Sequence, residues 1–190
     1  TPKGFPEAYK AYVEAGWSQL SMGLELGGQG MPQLMNSAVE ELMFASNMAF
    51  FLGTSLARGA VEAIVASGNP AQLAQILPKL VTGEWMGTMN LTEPQAGSDL
   101  ALMRTRAVAE GDHYRIFGQK IFITYGDHDL SENIVHLVLA RIDGAPAGTR
   151  GISLFFVPKF LLNADGTPGK PTDLRCLSIE HRLGIPASPT

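Results

Sequence analysis

Residues Thr88–Leu100 read TMNLTEPQAGSDL, and the rest of the chain is understood outward from them. Thr92 and Ser98 each offer a hydroxyl. Between them Glu93-Pro94 turns the chain, because proline fixes its own φ and pushes the preceding residue out of the helical region. Gly97 then permits a ligand to come close to the backbone. The plainer alternative is an ordinary loop in which Ser98 and Asp99 cap a short turn.

A second block, GQKIFITYG, occupies Gly118–Gly126. It is read as part of a hairpin, with β-rich runs on either side of Gly118-Gln119. Alternation along a strand from position 120 to 124 puts Phe122 and Thr124 on one face and Ile121 and Ile123 on the other. An aromatic ring beside a hydroxyl suits the face and edge of a flat ring ligand. An isolated Phe in a strand is otherwise a core residue.

Organisation changes near Gly83. Before it the signals are helical: a helix starting at Pro6 and reaching about Trp17, one from Pro32 toward Asn47, one over about Ala49 to Ser67 stopped by Gly68, and a short one opened by Asn69-Pro70 and curtailed by Pro78. Leu34, Ala38, Leu42 and Ala45 recur at helical spacing, as do Leu56, Ala60, Ile64 and Ser67, so these helices are expected to need partners on more than one side. After Gly83 six strands are predicted, near positions 85–91, 104–109, 114–117, 120–124, 134–142 and 152–157, with a loop over 143–151. The expected class is α+β: an all-α domain over 1–83 followed by a β-barrel-like domain over 84–190.

With 190 residues, 45% of them hydrophobic and 17% charged, the chain can bury a sizeable core. A net charge of −4 without a basic stripe argues against nucleic acid. The single Cys176 excludes an intrachain disulfide. Asn47, Gly53, Arg58 and Glu62 interrupt the most apolar run, so no membrane span is expected. Gly27-Gly28-Gln29-Gly30 lacks a preceding strand and is read as a loop between helices rather than a dinucleotide fingerprint. His113, His128, His136 and His181 form no close ligand set, and Asp127-His128-Asp129 reads as a polar turn before a strand, so no metal is expected. Glu40 and Glu41 are read as surface or helix-packing residues.

Together with GWSQLSMGLELGGQGMP at Gly16–Pro32 and SGNPAQLAQILPKLVTGEWMGTMNLTEP at Ser67–Pro94, the two blocks resemble the acyl-CoA dehydrogenase family over about Gly16 to Phe156. The stretch SIEHRLGIPASPT from Ser178 further resembles a subgroup of large bacterial members, including those handling methylthio-substituted propionyl thioesters. The resemblance implies FAD as cofactor and α,β-dehydrogenation of an acyl-CoA thioester, with the β-hydride passing to flavin N5. It also implies the electron-transfer flavoprotein as acceptor, a homodimer or homotetramer, and a bacterial cytoplasmic location, or the mitochondrial matrix in a eukaryote. An oxidised flavin presents ring acceptors and a charged pyrophosphate, so its site supplies donors and backbone rather than acids. Carried over residue by residue, cofactor contacts fall on Met89, Leu91, Thr92, Gly97, Ser98, Phe122, Ile123 and Thr124, and Ser98 also meets the pantetheine arm of acyl-CoA. Phe122 stands where the family often has tryptophan, which keeps the ring and loses an indole N–H. Tyr125 stands where many members carry a small polar residue. The family's catalytic base is a glutamate of a C-terminal helical domain with no counterpart here, so the chain reads as a piece of a longer protein that is inactive alone. No catalytic residue is assigned, and Glu93 is not promoted to that role. An oxidase or flavin monooxygenase of the same fold, and a noncatalytic interaction homologue, are the alternatives.

Overall fold

The computed structural model describes residues 1–180 and 183–188. Three helices precede the sheet: α1 (Phe5–Glu14), α2 (Gln33–Ser67) and α3 (Pro70–Thr82). Pro6 sits in the first turn of α1, and the helix ends at Glu14, short of Trp17, which instead begins a 3-10 turn after the left-handed Gly16. Pro32 precedes α2, and the Gly68 amide closes it on the Ile64 carbonyl. The expected break at Asn47 is a kink within one long helix: Asn47 leaves the helical region (φ −159°, ψ 93°), and its side-chain oxygen accepts from the Phe50 amide at 3.0 Å, recapping the second half.

α3 departs from expectation, because it runs through Pro78 to Thr82. An interior proline costs about 3 kcal/mol of helix stability. Here Ile76, Leu77, Leu80 and Val81 are buried on both sides of it, and that packing outweighs the local cost. The first periodic set on α2 is a second departure. Leu34, Ala38, Leu42 and Ala45 all face solvent, Leu34 at 81% and Leu42 at 69% exposure, whereas Ala60 and Ile64 of the second set are core. At 35 residues α2 is long and apolar enough to cross a bilayer, but Phe51, Ala60, Val61 and Ile64 are buried inside this fold and Arg58 bonds Glu40 and Glu62.

The β portion comprises β1 (Trp85–Asn90), β2 (Arg106–Glu110), β3 (His113–Phe117), β4 (Asn133–Ile142) and β5 (Ile152–Pro158) in one mixed sheet. A separate hairpin of β6 (Phe160–Leu162) and β7 (Pro168–Pro171) was not foreseen. Among the described residues the sheet stays open, so the barrel-like expectation holds only loosely. β4 is its centre. β1 pairs in parallel along Asn133–Val138, β2 meets β4 at Arg141 and Ile142, and β5 runs antiparallel against Val135–Arg141. Because β1 and β5 share partners on β4, they occupy opposite edges. β1 and β2 therefore lie in line along one edge, and residues 91–105 leave the sheet between them.

β1 is buried on both faces, and its polar Thr88 and Asn90 are satisfied by bonding each other and His136. Trp85 joins Val61, Ile64, Leu80, Val135 and Leu137 beneath α2 and α3, while Met86 packs with Tyr9 and Tyr125. The helices thus fix one face of the strand from whose end the motif excursion departs.

Candidate functional site

The excursion begins with a tight turn. The Glu93 amide donates to the Ala96 carbonyl at 2.9 Å and the Ala96 amide returns to Glu93 at 3.0 Å, with Pro94 and Gln95 between. Asp99 caps the next 3-10 turn, its carboxylate accepting from the Ala101 amide at 3.0 Å. Half of the plain loop reading is therefore realised, by Asp99. Ser98 is exposed and its hydroxyl makes no hydrogen bond among the described residues. Gly97 is exposed as well, and a Cβ built there meets only the Thr92 methyl, at 4.0 Å. Among the described residues nothing else lies within 4 Å of that Cβ, so the chain itself does not require glycine's smallness at 97.

The second block is not a strand. β2 and β3 form the hairpin instead, through Gly111-Asp112, and positions 118–126 are a loop. Phe122 and Tyr125 adopt left-handed φ values of 59° and 55°, which breaks the extended path, and the Gly126 amide closes a turn on the Ile123 carbonyl. The alternation that paired Phe122 with Thr124 across one strand face therefore does not apply. The Phe122 ring is 57% exposed, so it is not the core residue that an isolated Phe would be. A large side chain held both out of the core and in a sparsely populated backbone region costs free energy locally.

The two blocks, 28 positions apart from Thr92 to Lys120, come together through three bonds. The Ile121 amide donates to the Thr92 carbonyl at 3.0 Å, and Lys120 Nζ donates to the Leu91 carbonyl at 3.0 Å and to Glu93 Oε1 at 2.9 Å. Gly118 allows the approach: a Cβ there would lie 2.3 Å from the Thr105 hydroxyl and 2.8 Å from its Cα. Of the residues flanking this junction along the chain, Met89, Leu91, Thr92, Ile123 and Thr124 are half-buried and Gly97, Ser98 and Phe122 are exposed.

Glu93 and Lys120 form a buried pair, their side chains 3% and 8% exposed. The carboxylate also accepts from the Arg104 amide at 2.8 Å, the Thr105 amide at 3.0 Å and the Gln95 side chain at 2.5 Å. Burial alone pushes the Glu93 carboxyl up, but the adjacent Thr105 hydroxyl, the two amides and the Lys120 ammonium outweigh it and hold the group at about 2. The Thr105 hydroxyl itself makes no hydrogen bond of normal geometry, so the amides and the ammonium are the donors that matter. Burial lowers Lys120, and Glu93 partly restores it. Residue types alone gave no sign of this pair. Two acids in the first block, Glu93 and Asp99, and a lone lysine in the second were the only trace, and none of them points to another along the chain.

Behind the second block lies a polar layer. Tyr125 is buried and its hydroxyl reaches the Ala49 and Phe50 carbonyls of α2 at 2.6 and 3.0 Å, just after the Asn47 kink. Its ring meets His128 edge-on at 5.6 Å. The Asp127-His128-Asp129 turn is thus less superficial than expected: His128 is buried, its Nδ1 accepts from the Leu130 amide at 3.2 Å, and Asp127 takes Lys159 at 2.6 Å. His136 is buried on β4, bonded to Thr88, which bonds Asn90. Burial holds both imidazoles neutral, at about 4. Among the described residues no group of three or more His, Cys, Asp or Glu could hold a metal, and His181 lies outside them.

The profile described as "Acyl-CoA dehydrogenase, N-terminal domain" matches residues 2–84, and "Acyl-CoA dehydrogenase, middle domain" matches 88–187. The chain is 52% identical over 190 residues to 3-methylmercaptopropionyl-CoA dehydrogenase of Ruegeria pomeroyi, covering 100% of this chain and 32% of that protein. It is 39% identical over 192 residues to a butyryl-CoA dehydrogenase of Syntrophomonas wolfei, again with 100% of this chain and 31% of that protein. A solved glutaryl-CoA dehydrogenase of Mycobacterium smegmatis in complex with FADH2 superimposes with a TM-score of 0.72 at 26% identity, covering 97% of this chain and 42% of that one. The chain spans about a third of the length of the curated relatives it matches.

Proposed function

Because the chain belongs to the acyl-CoA dehydrogenase family, we propose that its two motif blocks form one wall of an FAD site in an enzyme that removes hydrogen from the α and β carbons of an acyl-CoA thioester. The observation that carries this reading is the junction of the blocks through Thr92, Glu93, Lys120 and Ile121, which ties the segment bearing the Thr92 hydroxyl to the segment bearing the exposed Phe122 ring. The donor set fits the group: Thr92 and Ser98 supply hydroxyls, Gly97 leaves a Cβ-sized space, and Phe122 offers a flat apolar face. When bound, FAD supplies the hydride-accepting ring.

Met89, Leu91, Thr92, Gly97, Ser98, Ile123 and Thr124 would hold the FAD, with Ser98 placed to serve its pyrophosphate. Ser98 would also donate to the pantetheine arm of acyl-CoA, since its hydroxyl has no rival partner among the described residues. Phe122 would lie against the flavin ring and exclude water from it, and a dry environment strengthens every donor. Glu93 is a poor proton acceptor, because four donors already hold its carboxylate. We therefore assign the base that takes the α-proton to the two-thirds of the relatives' length that this chain does not span, and expect this chain alone to be inactive. Electron-transfer flavoprotein as acceptor, a homo-oligomeric assembly and a cytoplasmic location belong to the same proposal. Among short acyl thioesters, a sulfur-substituted propionyl-CoA is the first substrate to test, given the 52% identity to a protein named for one.

The test is reconstitution of the complete protein with FAD, followed by anaerobic titration with acyl-CoA thioesters. Bleaching of the flavin bands by an acyl-CoA is expected, and Phe122→Ala and Thr92→Val should each weaken flavin retention. A complete protein that binds no flavin refutes the reading and favours a noncatalytic interaction role. Bleaching followed by rapid reoxidation in air favours the oxidase alternative.

A further inference from the structure

Burying an ion pair is a poor way to gain stability, because removing two charges from water costs about as much as their attraction returns, or more. Glu93 and Lys120 are nonetheless both buried, and an apolar pair of similar volume could not do what they do. The carboxylate collects the Gln95 side chain from its own turn, the Arg104 and Thr105 amides from the strand-entry segment, and Lys120 from the second block. The ammonium in turn reaches the Leu91 carbonyl, the group immediately before Thr92. Two charges thus tie four segments at one point. Thr92 lies between two residues held by Lys120, and Phe122 follows two residues after it.

We propose that the Glu93–Lys120 pair is the positioning element of the cofactor edge: it sets the Leu91–Thr92 segment and the Phe122–Thr124 segment in one arrangement before FAD binds. Neither residue touches the cofactor in this assignment. The inference rests on the flavin-site reading above. Pre-organisation is the physical gain, since loops fixed in advance lose no conformational freedom when the ligand arrives. Phe122 is the part most in need of it, because its left-handed φ of 59° is a conformation the free loop would leave. With only a chain of short backbone contacts on either side, Ile121 and Thr92 would keep a single bond between the blocks if the pair were lost.

The experiment uses the complete protein, stripped of flavin and reconstituted, with Lys120→Met, Glu93→Gln, the double variant and Lys120→Arg. Amide hydrogen exchange is followed in the apo protein on peptides covering 89–97, 118–126 and, as a control, α3. FAD affinity and the visible circular dichroism of the bound flavin are then measured. Lys120→Met should speed exchange by about tenfold or more in both motif peptides but not in α3, raise the FAD dissociation constant by about tenfold or more, and alter the flavin dichroism. Lys120→Arg should recover part of each, and the double variant should be no worse than the worse single. Glu93→Gln, which keeps the shape, serves if Lys120→Met does not fold. A lower melting temperature with FAD affinity within about twofold of the parent and unchanged dichroism overturns the proposal, leaving the pair structural only. Unchanged exchange in the motif peptides overturns it as well. If Thr92→Val and Phe122→Ala leave FAD affinity unaltered, it is the flavin-site reading that fails, and the exchange arm, which involves no cofactor, still decides whether the pair holds the two segments together.

Discussion

Tyr125 and Gly53 are matched across the contact between the second motif block and α2, and replacing them separately and together tests that match. The Tyr125 ring is 1% exposed and lies on Gly53 so closely that a Cβ at position 53 would sit 2.5 Å from its Cγ and Cδ1. Tyr125→Phe removes one hydroxyl hydrogen shared between the Ala49 and Phe50 carbonyls, so the loss should be about 1 kcal/mol, the net worth of one neutral hydrogen bond. Tyr125→Ala empties the site and should cost about 3–5 kcal/mol. Gly53→Ala pushes a methyl group into the ring and should cost about 1–3 kcal/mol through overpacking. In the double variant Gly53→Ala/Tyr125→Ala the added methyl enters space that the ring has left. Its loss should then fall below the sum of the singles by about 1–2 kcal/mol, because residues in contact are not additive. Urea unfolding of the four variants, read by tryptophan fluorescence at Trp85 and Trp17, gives the midpoints and shows whether the slope m is constant. Additivity within about 0.5 kcal/mol would refute the contact, and so would a Tyr125→Phe loss as large as that of Tyr125→Ala.

Ser98→Ala should leave the melting temperature unchanged, because Asp99 and not Ser98 caps the turn, while weakening FAD and acyl-CoA binding in the complete protein by about 1.5–3 kcal/mol; a fall in melting temperature alone would restore the capping role. Thr124→Val should slow flavin reduction by substrate or reduce flavin content, and unchanged values for both would remove Thr124 from the site. Acid should destabilise the fold early: His128 and His136 are held at about 4 against an ordinary 6.5, so the unfolded chain takes up protons that the folded one refuses. Stability is lost as pH falls through that window, about 2 kcal/mol per imidazole by pH 5, and a flat melting temperature from pH 7 to 5 would contradict neutral burial. Glu93 acts lower, since its stabilisation is complete above the ordinary 4.5 and disappears only as pH falls toward 2. Glu93→Gln should therefore flatten the stability profile below pH 4 and leave the pH 5–7 slope alone.

Much of the helical half was legible because local rules decide it. Pro32, Asn47 and Gly68 mark the start, break and stop of α2, and each acts through its own backbone or a partner three or four residues away. Pro78 shows where that logic ends: the local penalty is real, but Ile76, Leu77, Leu80 and Val81 are fixed by a core formed with residues of β1 and β4. The exposed Leu34 and Leu42 make the same point in reverse, since periodicity identifies an apolar face without saying what covers it. β1, β4 and β5 were read nearly to the residue because each is a mostly apolar run bounded by turn-forming residues.

The second block was misread for a definite physical reason. Ile121, Phe122, Ile123 and Thr124 have strand propensity, and propensity reports fit to a pleated, half-buried surface rather than a backbone preference. The inner edges are already filled, β4 by β1 and β2 on one side and β5 on the other and β2 by β4 and β3, and among the described residues the segment does not add to an outer edge of the sheet. Outside any ladder, the segment turns twice through left-handed residues and takes its fixed points from side chains, Lys120 on Glu93 and Tyr125 on α2. Both anchors are pairings of distant residues, and such pairings are set by register. Asn90 opposite Val138 and Arg106 opposite Arg141 leave a gap of two β4 positions that residues 91–105 must span by leaving the sheet. The excursion therefore follows from how β1 and β2 share one edge of β4, and the charged pair at its base is what such an excursion needs to hold a single shape.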